Sequence, residues 1–260
     1  QLTNLYQKES EHLRSLLSFS DIGVQFRKYG GEEDFGNKYP FVPYQFDLFQ
    51  QCRIELSVHN AFQGKHASVG ERSMLGVFQQ VIKKIEHEQV NALVSFDLMF
   101  EGIRNELRGE IQRSVVLAEN NLDDPFAIKI LKVLFMVKYF SNFKTTKRNI
   151  SVLMIDDMHL DIKAHEKRVE ESLNRLENEN YVQRNGDIYE YLTNDEKDIE
   201  REIKDTMVDD SEQTKLLNNI FFDEIIKDNK IIFQDNKQYY EFTKKTDGLT
   251  DGREKELTIE

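Results

Sequence analysis

From Phe126 to Phe140 the chain is apolar on almost every side, and this run limits the fold more than any other. A helix that is hydrophobic around most of its circumference must be covered by neighbours on several sides. The run is shorter than the roughly 20 apolar residues that a membrane span needs. It therefore predicts the central helix of a domain. Asn120-Asn-Leu-Asp-Asp-Pro125 just before it is the clearest boundary in the sequence. Asp124 can cap the helix, and Pro125 fits the first turn, where no amide hydrogen is needed. A short helix follows at Lys147–Met154, then a polar loop from Asp156 to Asp161. The next helix covers about Ile162–Asn178, with Ile162, Val169, Leu173 and Leu176 on one face. Tyr181–Arg184 and Asp187–Leu192 then flank Asn185-Gly186, which predicts a type I′ hairpin because both central residues would take positive φ. Three helices followed by a hairpin is the order of a winged helix, a variant of helix-turn-helix.

The flanks are also helical in pattern. Leu5, Leu13, Leu16 and Leu17 recur at helical spacing within 4–18. Residues 20–38 are rich in glycine and charge, with a short strand expected at Ile22–Phe26. Pro40 and Pro43 hold the residues before them extended, and Pro43 opens a helix reaching about His59. A loop at Asn60–Val69 leads to a helix with Leu75, Phe78, Ile82 and Ile85 on one stripe. Ser95–Glu119 reads as one long helix. Thr193-Asn-Asp-Glu196 is a capping box that starts a helix to about Asp205, and Ser211–Ile226 is helical again. Ile231–Phe233 and Gln238–Thr243 read as strands, and Leu257–Glu260 as a strand cut short. With Gln rather than Met at the start, this last feature predicts an excised piece of a longer protein. The expectation is a mainly α fold with a minor β part. It has a helical, lid-like region at 1–122, a winged-helix domain with trailing helix at 123–206, and an acidic helix with a strand pair at 207–260.

Charge narrows the partners. The net charge of -12 disfavours coating of nucleic acid by the whole chain. The excess is local: residues 194–228 hold 5 basic and 12 acidic groups, net -7, whereas 126–193 hold 11 and 10, net +1. Such a charge run reads as a solvated helix face, with an acidic docking surface for a basic partner as the alternative. A single cysteine, Cys52, does not support a disulfide scaffold and suits a reducing, cytoplasmic setting.

No phosphate loop, dinucleotide-binding glycine motif, nucleophile elbow or zinc motif is present in the sequence. Cys52, His59 and His66 are too scattered to predict a metal site, and Asp156, Asp157, His159 and Asp161 lack the glycine and terminal glutamate of a calcium loop. The latter read as an inter-helix loop that caps the next helix. Arg72, two residues after Gly70 and near a helix start, reads either as a solvent arginine or as one reaching an anion on a neighbouring domain. A DNA reading would place Ile162–Asn178 in the major groove and the hairpin on the backbone. Its solvent-side candidates are Lys163, His165, Lys167, Arg168 and Arg175, with Lys144, Lys147 and Arg148 before them and Arg184 on the wing. Glu166, Glu170, Glu171 and Glu177 share that helix and oppose phosphate, so DNA and protein both stay open as ligands. A stand-alone DNA-binding regulator and a purely protein-binding module are the alternatives to a section of a larger machine.

Tyr39-Pro-Phe-Val-Pro-Tyr-Gln-Phe46 and Gly64-Lys-His-Ala-Ser-Val-Gly-Glu-Arg-Ser-Met-Leu75, with Phe78-Gln79, resemble the large P-loop ATPase BrxC of BREX phage-defence systems. Asn185–Thr193, Ile199–Ile203 and Tyr240–Gly248 are similar to the same family, so the resemblance spans about residues 35–250. It implies an internal section that lies downstream of the nucleotide-binding motifs, with none of its own hydrolysis machinery. ATP and magnesium are then expected for the full-length protein and no cofactor for this section. The resemblance to AAA+-type lids implies that Arg72 is a sensor of the γ-phosphate. Other BREX components become the expected partners, DNA a further ligand through the winged helix, and a homo-oligomer a state open to the full-length protein.

Overall fold

The computed structural model describes residues 2–20, 23–64, 71–206, 209–246 and 248–259. They form two compact units, 1–200 and 201–260. The fold is mainly α, with minor β.

The first unit begins with α1 (Leu2–Leu16), α2 (Glu32–Lys38) and α3 (Pro43–Val58). Val42 is extended, at φ -89° and ψ 138°, and Pro43 starts α3 as the sequence predicts. In place of a side-chain oxygen on Val42, Gln45 Oε1 accepts from the Val42 amide at 3.0 Å, while its Nε2 donates to Val94 O at 2.5 Å. Residues 23–26 form no strand, contrary to expectation. The segment lies against α3 through Phe26, whose ring packs on those of Phe19, Tyr44 and Phe143.

Next comes α4 (Glu71–Ile85), with a different inner stripe from the one expected. Val77, Phe78 and Val81 are buried, whereas Leu75 and Ile82 are exposed. The Phe78 ring sits among those of Phe41, Phe46 and Phe49, at centroid distances of 5.0, 4.8 and 5.7 Å. This aromatic cluster sets the rotation of the helix. The long helix expected at 95–119 is broken. It becomes α5 (Asp97–Ile103), a 3-10 turn (Arg104–Glu106) and α6 (Gly109–Asn121). The break has a long-range cause: Arg108 N donates to Ala61 O at 2.8 Å, Gln63 N donates to Glu106 O at 2.9 Å, and Phe62 bridges Leu107. These backbone bonds tie the region to the chain after α3 and cannot coexist with a continuous helix. Gly102 lets α5 approach α4, since a Cβ there would lie 2.4 Å from Val77 Cγ1.

The apolar run forms α7 (Pro125–Val137), with eleven of its residues buried. Asp124 caps it, its Oδ1 accepting from Phe126 N at 2.9 Å and its Oδ2 from Ser172 Oγ at 3.0 Å. Lys132 is a charged residue within this buried helix, and it is fully accommodated. Its Nζ lies 2.6 Å from Glu101 and 2.8 Å from Glu119, and Arg104 holds Glu119 through two bonds of 2.9 and 2.6 Å. This network binds α5, α6 and α7 together. Hydrogen bonding from Arg104, with the Lys132 charge beside it, lowers the Glu119 carboxyl to about 2.

Helices α8 (Lys147–Leu153) and α9 (Ile162–Asn178) follow. Val169, Leu173 and Leu176 face inward as expected, while Ile162 is only half-buried. Thr146 caps α8, and Asp161 caps α9 by accepting from Lys163 N at 2.9 Å and Ala164 N at 3.2 Å. The hairpin is β1 (Val182–Asn185) and β2 (Ile188–Tyr191). Asn185 pairs with Ile188, so the two loop residues are Gly186 and Asp187. Only Gly186 takes positive φ, at 60°, which is the pattern of a Gly-X loop and corrects the expected Asn-Gly turn. The Thr145–Thr146 backbone meets the hairpin edge, with Tyr189 N donating to Thr145 O at 3.1 Å.

Helix α10 (Asn194–Asp205) starts on the predicted capping box. Thr193 N donates to Glu196 Oε2 at 2.6 Å, and Glu196 N to Thr193 Oγ1 at 3.4 Å. In the second unit, α11 (Asp210–Asn218) continues as a π-helical stretch, Asn219–Ile226. A four-stranded sheet follows from β3 (Lys230–Ile232), β4 (Tyr239–Thr246), β5 (Leu249–Asp251) and β6 (Leu257–Ile259). Strand β4 is its centre, antiparallel to β3 and β5 and parallel to β6. Phe222 packs on Phe242, and Lys244 reaches Asp223 at 2.8 Å.

Candidate functional site

The cations singled out by sequence gather around α9 and the hairpin, and most of them already have partners. Lys147 Nζ lies 3.1 Å from Glu170, and Arg148 Nη1 lies 2.9 Å from Glu166. Lys167 lies 3.6 Å from Glu171, and Arg175 Nε 3.3 Å from Glu179. Arg168 stacks its guanidinium over the Phe126 ring at 4.1 Å. Arg184 Nε donates to Gly186 O at 2.8 Å and its guanidinium lies 5.5 Å from the Tyr189 ring centroid. Lys163 is exposed and forms no ion pair among the described residues, and Lys144 is exposed in the loop before α8. The glutamates of α9 thus alternate with its cations and offset most of their charge where a phosphate would approach.

Two residues here are structural in a way that the sequence did not reveal. Arg148 Nη2 donates to Ser15 O at 3.2 Å and Leu16 O at 3.1 Å, and its Nε to Ser18 O at 3.3 Å. It therefore caps the C-terminus of α1, whose last carbonyls have no helical partner. Asn149 is fully buried. Its Oδ1 accepts from Ser20 N at 2.8 Å, and its Nδ2 donates to Ser20 O and Lys144 O, each at 2.8 Å. His165, expected on the solvent side, is buried instead, its ring nitrogen 2.9 Å from Ser151 O and its ring edge-on to Phe126.

The other candidates are scattered. The backbone of Arg72 lies in the first turn of α4, and its side chain lies outside the described residues. His66 also lies outside them. Cys52 is buried in the core, where desolvation raises its thiol pKa and disfavours the thiolate. The His59 ring stacks on Tyr139 at 3.9 Å. Asp157 accepts from Asn91 and from His159 N, and His159 Nε2 lies 3.3 Å from Glu9. Among the described residues no three His, Cys, Asp or Glu side chains converge as metal ligands, and no helix is long and apolar enough to cross a membrane.

Residues 206–260, which include α11 and the β3–β6 sheet, match the family described as the fourth domain, with a six-stranded β-sheet, of the BREX ATP-binding protein BrxC. This match covers the C-terminal part of the chain and supports a fragment of the BrxC family. Four strands of the matched segment lie among the described residues. No solved structure matches the chain.

Proposed function

We propose that residues 1–206 form a helical, lid-like region and a winged-helix module of a BrxC-like ATPase. This section couples nucleotide state elsewhere in the protein to assembly with other BREX proteins. The observation that carries the protein-docking reading is the charge pairing on α9. Four candidate cations of α8 and α9, Lys147, Arg148, Lys167 and Arg175, face carboxylates, and three of those carboxylates, Glu166, Glu170 and Glu171, belong to α9. A duplex would have to displace or tolerate these carboxylates at each of these four cations. A protein surface with mixed charge can complement them. The neighbouring BrxC segment supports a section of a larger machine over a stand-alone regulator. ATP and magnesium would be bound by other parts of the full-length protein, since this sequence has no phosphate loop.

Two measurements test this. Lys163→Glu with Arg184→Glu in the full-length protein should weaken co-purification with at least one other BREX protein, while this chain shows no saturable affinity for duplex DNA at low salt. Duplex binding with a steep salt slope, abolished by the same pair of changes, would overturn the protein-docking reading. For Arg72, the lid reading expects Arg72→Ala to lower the ATPase rate of the full-length protein. An unchanged rate removes it.

A further inference from the structure

A cleft of about 500 Å³ opens between α1 and residues 23–29, and none of its lining residues belongs to α9 or the hairpin. Its floor is apolar and aromatic, formed by Leu13, Leu17, Phe26, Tyr29 and Tyr44. Its charged lining residues are Arg14, Arg27 and Lys28, and no carboxylate lines it, in a chain of net charge -12. Arg14 leans on Glu11 at 3.2 Å and Arg27 on Asp47 at 2.5 Å, both outside the lining, while Lys28 has no ion pair among the described residues. One wall has a second property. From Val24 to Tyr29 the chain is neither helix nor strand, and no backbone N–H or C=O of these six residues is hydrogen-bonded among the described residues. Tyr29 is held from the side, its hydroxyl donating to Phe41 O at 2.7 Å.

Unpaired backbone along an apolar trough is what an added strand requires. Main-chain bonds then supply affinity, and alternate side chains read the pockets. We propose that this cleft binds an extended, acidic peptide segment of a partner protein, paired along Val24–Tyr29, with its apolar side chains on the aromatic floor and its carboxylates toward Lys28. A nucleotide fits less well, because two of the three cations are already partly neutralised and a phosphate group demands more free positive charge. The site goes beyond the α9 surface and shares no residue with it, so each reading can fail alone.

The test selects peptides from a random dodecapeptide library on this 260-residue chain and measures the winners by fluorescence anisotropy. The expected winners alternate acidic and apolar residues. Their affinity falls roughly tenfold or more on Lys28→Glu, as for an interfacial charge turned against its partner. N-methylation of alternate peptide amides abolishes binding, and amide exchange slows over 24–29 in the complex. The Lys163→Glu/Arg184→Glu variant binds normally. No enrichment, winners rich in lysine and arginine, indifference to Lys28→Glu, or unchanged exchange over 24–29 each overturns the proposal. So does displacement of the peptides by a short oligothymidylate that itself binds more tightly.

Discussion

Replacing Glu119 by glutamine probes how the buried helix α7 tolerates its internal charge. In the folded chain Glu119 accepts from Arg104 and lies 2.8 Å from Lys132, and its pKa falls from 4.5 to about 2. At about 1.4 kcal/mol per pH unit, that difference corresponds to about 3 kcal/mol of stability. The side chain is 27% exposed, so solvent screening reduces the expected loss to about 2 kcal/mol. The sign follows from the depressed pKa. The stabilisation is fully present above about pH 4.5, the unfolded value, and is lost as pH falls toward 2. At pH 3 roughly two-fifths of it remains. Urea unfolding followed by far-ultraviolet circular dichroism at pH 7 and pH 3 measures this directly. Glu119→Gln should lower stability clearly at pH 7 and by less than half as much at pH 3. A penalty equal at both pH values would refute the electrostatic account and point to packing. No penalty at pH 7 would refute the role of the network.

Asn149→Ala should cost about 2–3 kcal/mol in the same assay, because three hydrogen bonds of a fully buried amide are lost and their backbone partners are left behind. Gly102→Ala should destabilise by about 1–3 kcal/mol, since the added methyl meets Val77 Cγ1 at 2.4 Å; an unchanged unfolding midpoint would show that α4 and α5 separate freely. Asp124→Ala should cost about 1–2 kcal/mol by uncapping α7, and in a double-mutant cycle with Ser172→Ala the two changes should not add. Arg175→Ala, which removes an exposed i,i+4 pair with Glu179, should change stability by less than about 1 kcal/mol.

Local signals in the sequence were reliable where the cause was local. Pro43, Asp124-Pro125, the limits of α9 and the Thr193–Glu196 box all follow from bonds or dihedrals within a few residues. The misreadings share a different origin. The break at Leu107–Arg108 depends on Ala61–Gln63, more than forty residues earlier. The rotation of α4 depends on three phenylalanines of the Phe41–Phe49 region. The hairpin shifted by one residue because Asn185 is paired as strand with Ile188, leaving the glycine alone to take the left-handed conformation. At the candidate site, the i,i+4 pairs Lys167–Glu171 and Arg175–Glu179 were readable from spacing. The pairings of Lys147 and Arg148 with α9 were not, because they require the packing of α8 on α9. The cleft beside Val24–Tyr29 left a faint trace, a strand-like composition that finds no partner among the described residues.

The reach of Arg148 and Asn149 back to the first twenty residues bears on how this molecule can be taken apart. Excising α7–α9 and the hairpin at the apparent boundary near Asn121 would strip Arg148 of three carbonyls and Asn149 of all its bonds to Ser20. The trimmed piece would present a guanidinium with one carboxylate left and a buried amide opened to solvent, at a surface that is normally interior. Binding seen with such a piece, to DNA or to protein, would report on that artificial surface. A piece that spans the whole first unit, residues 1–200, keeps these ties intact.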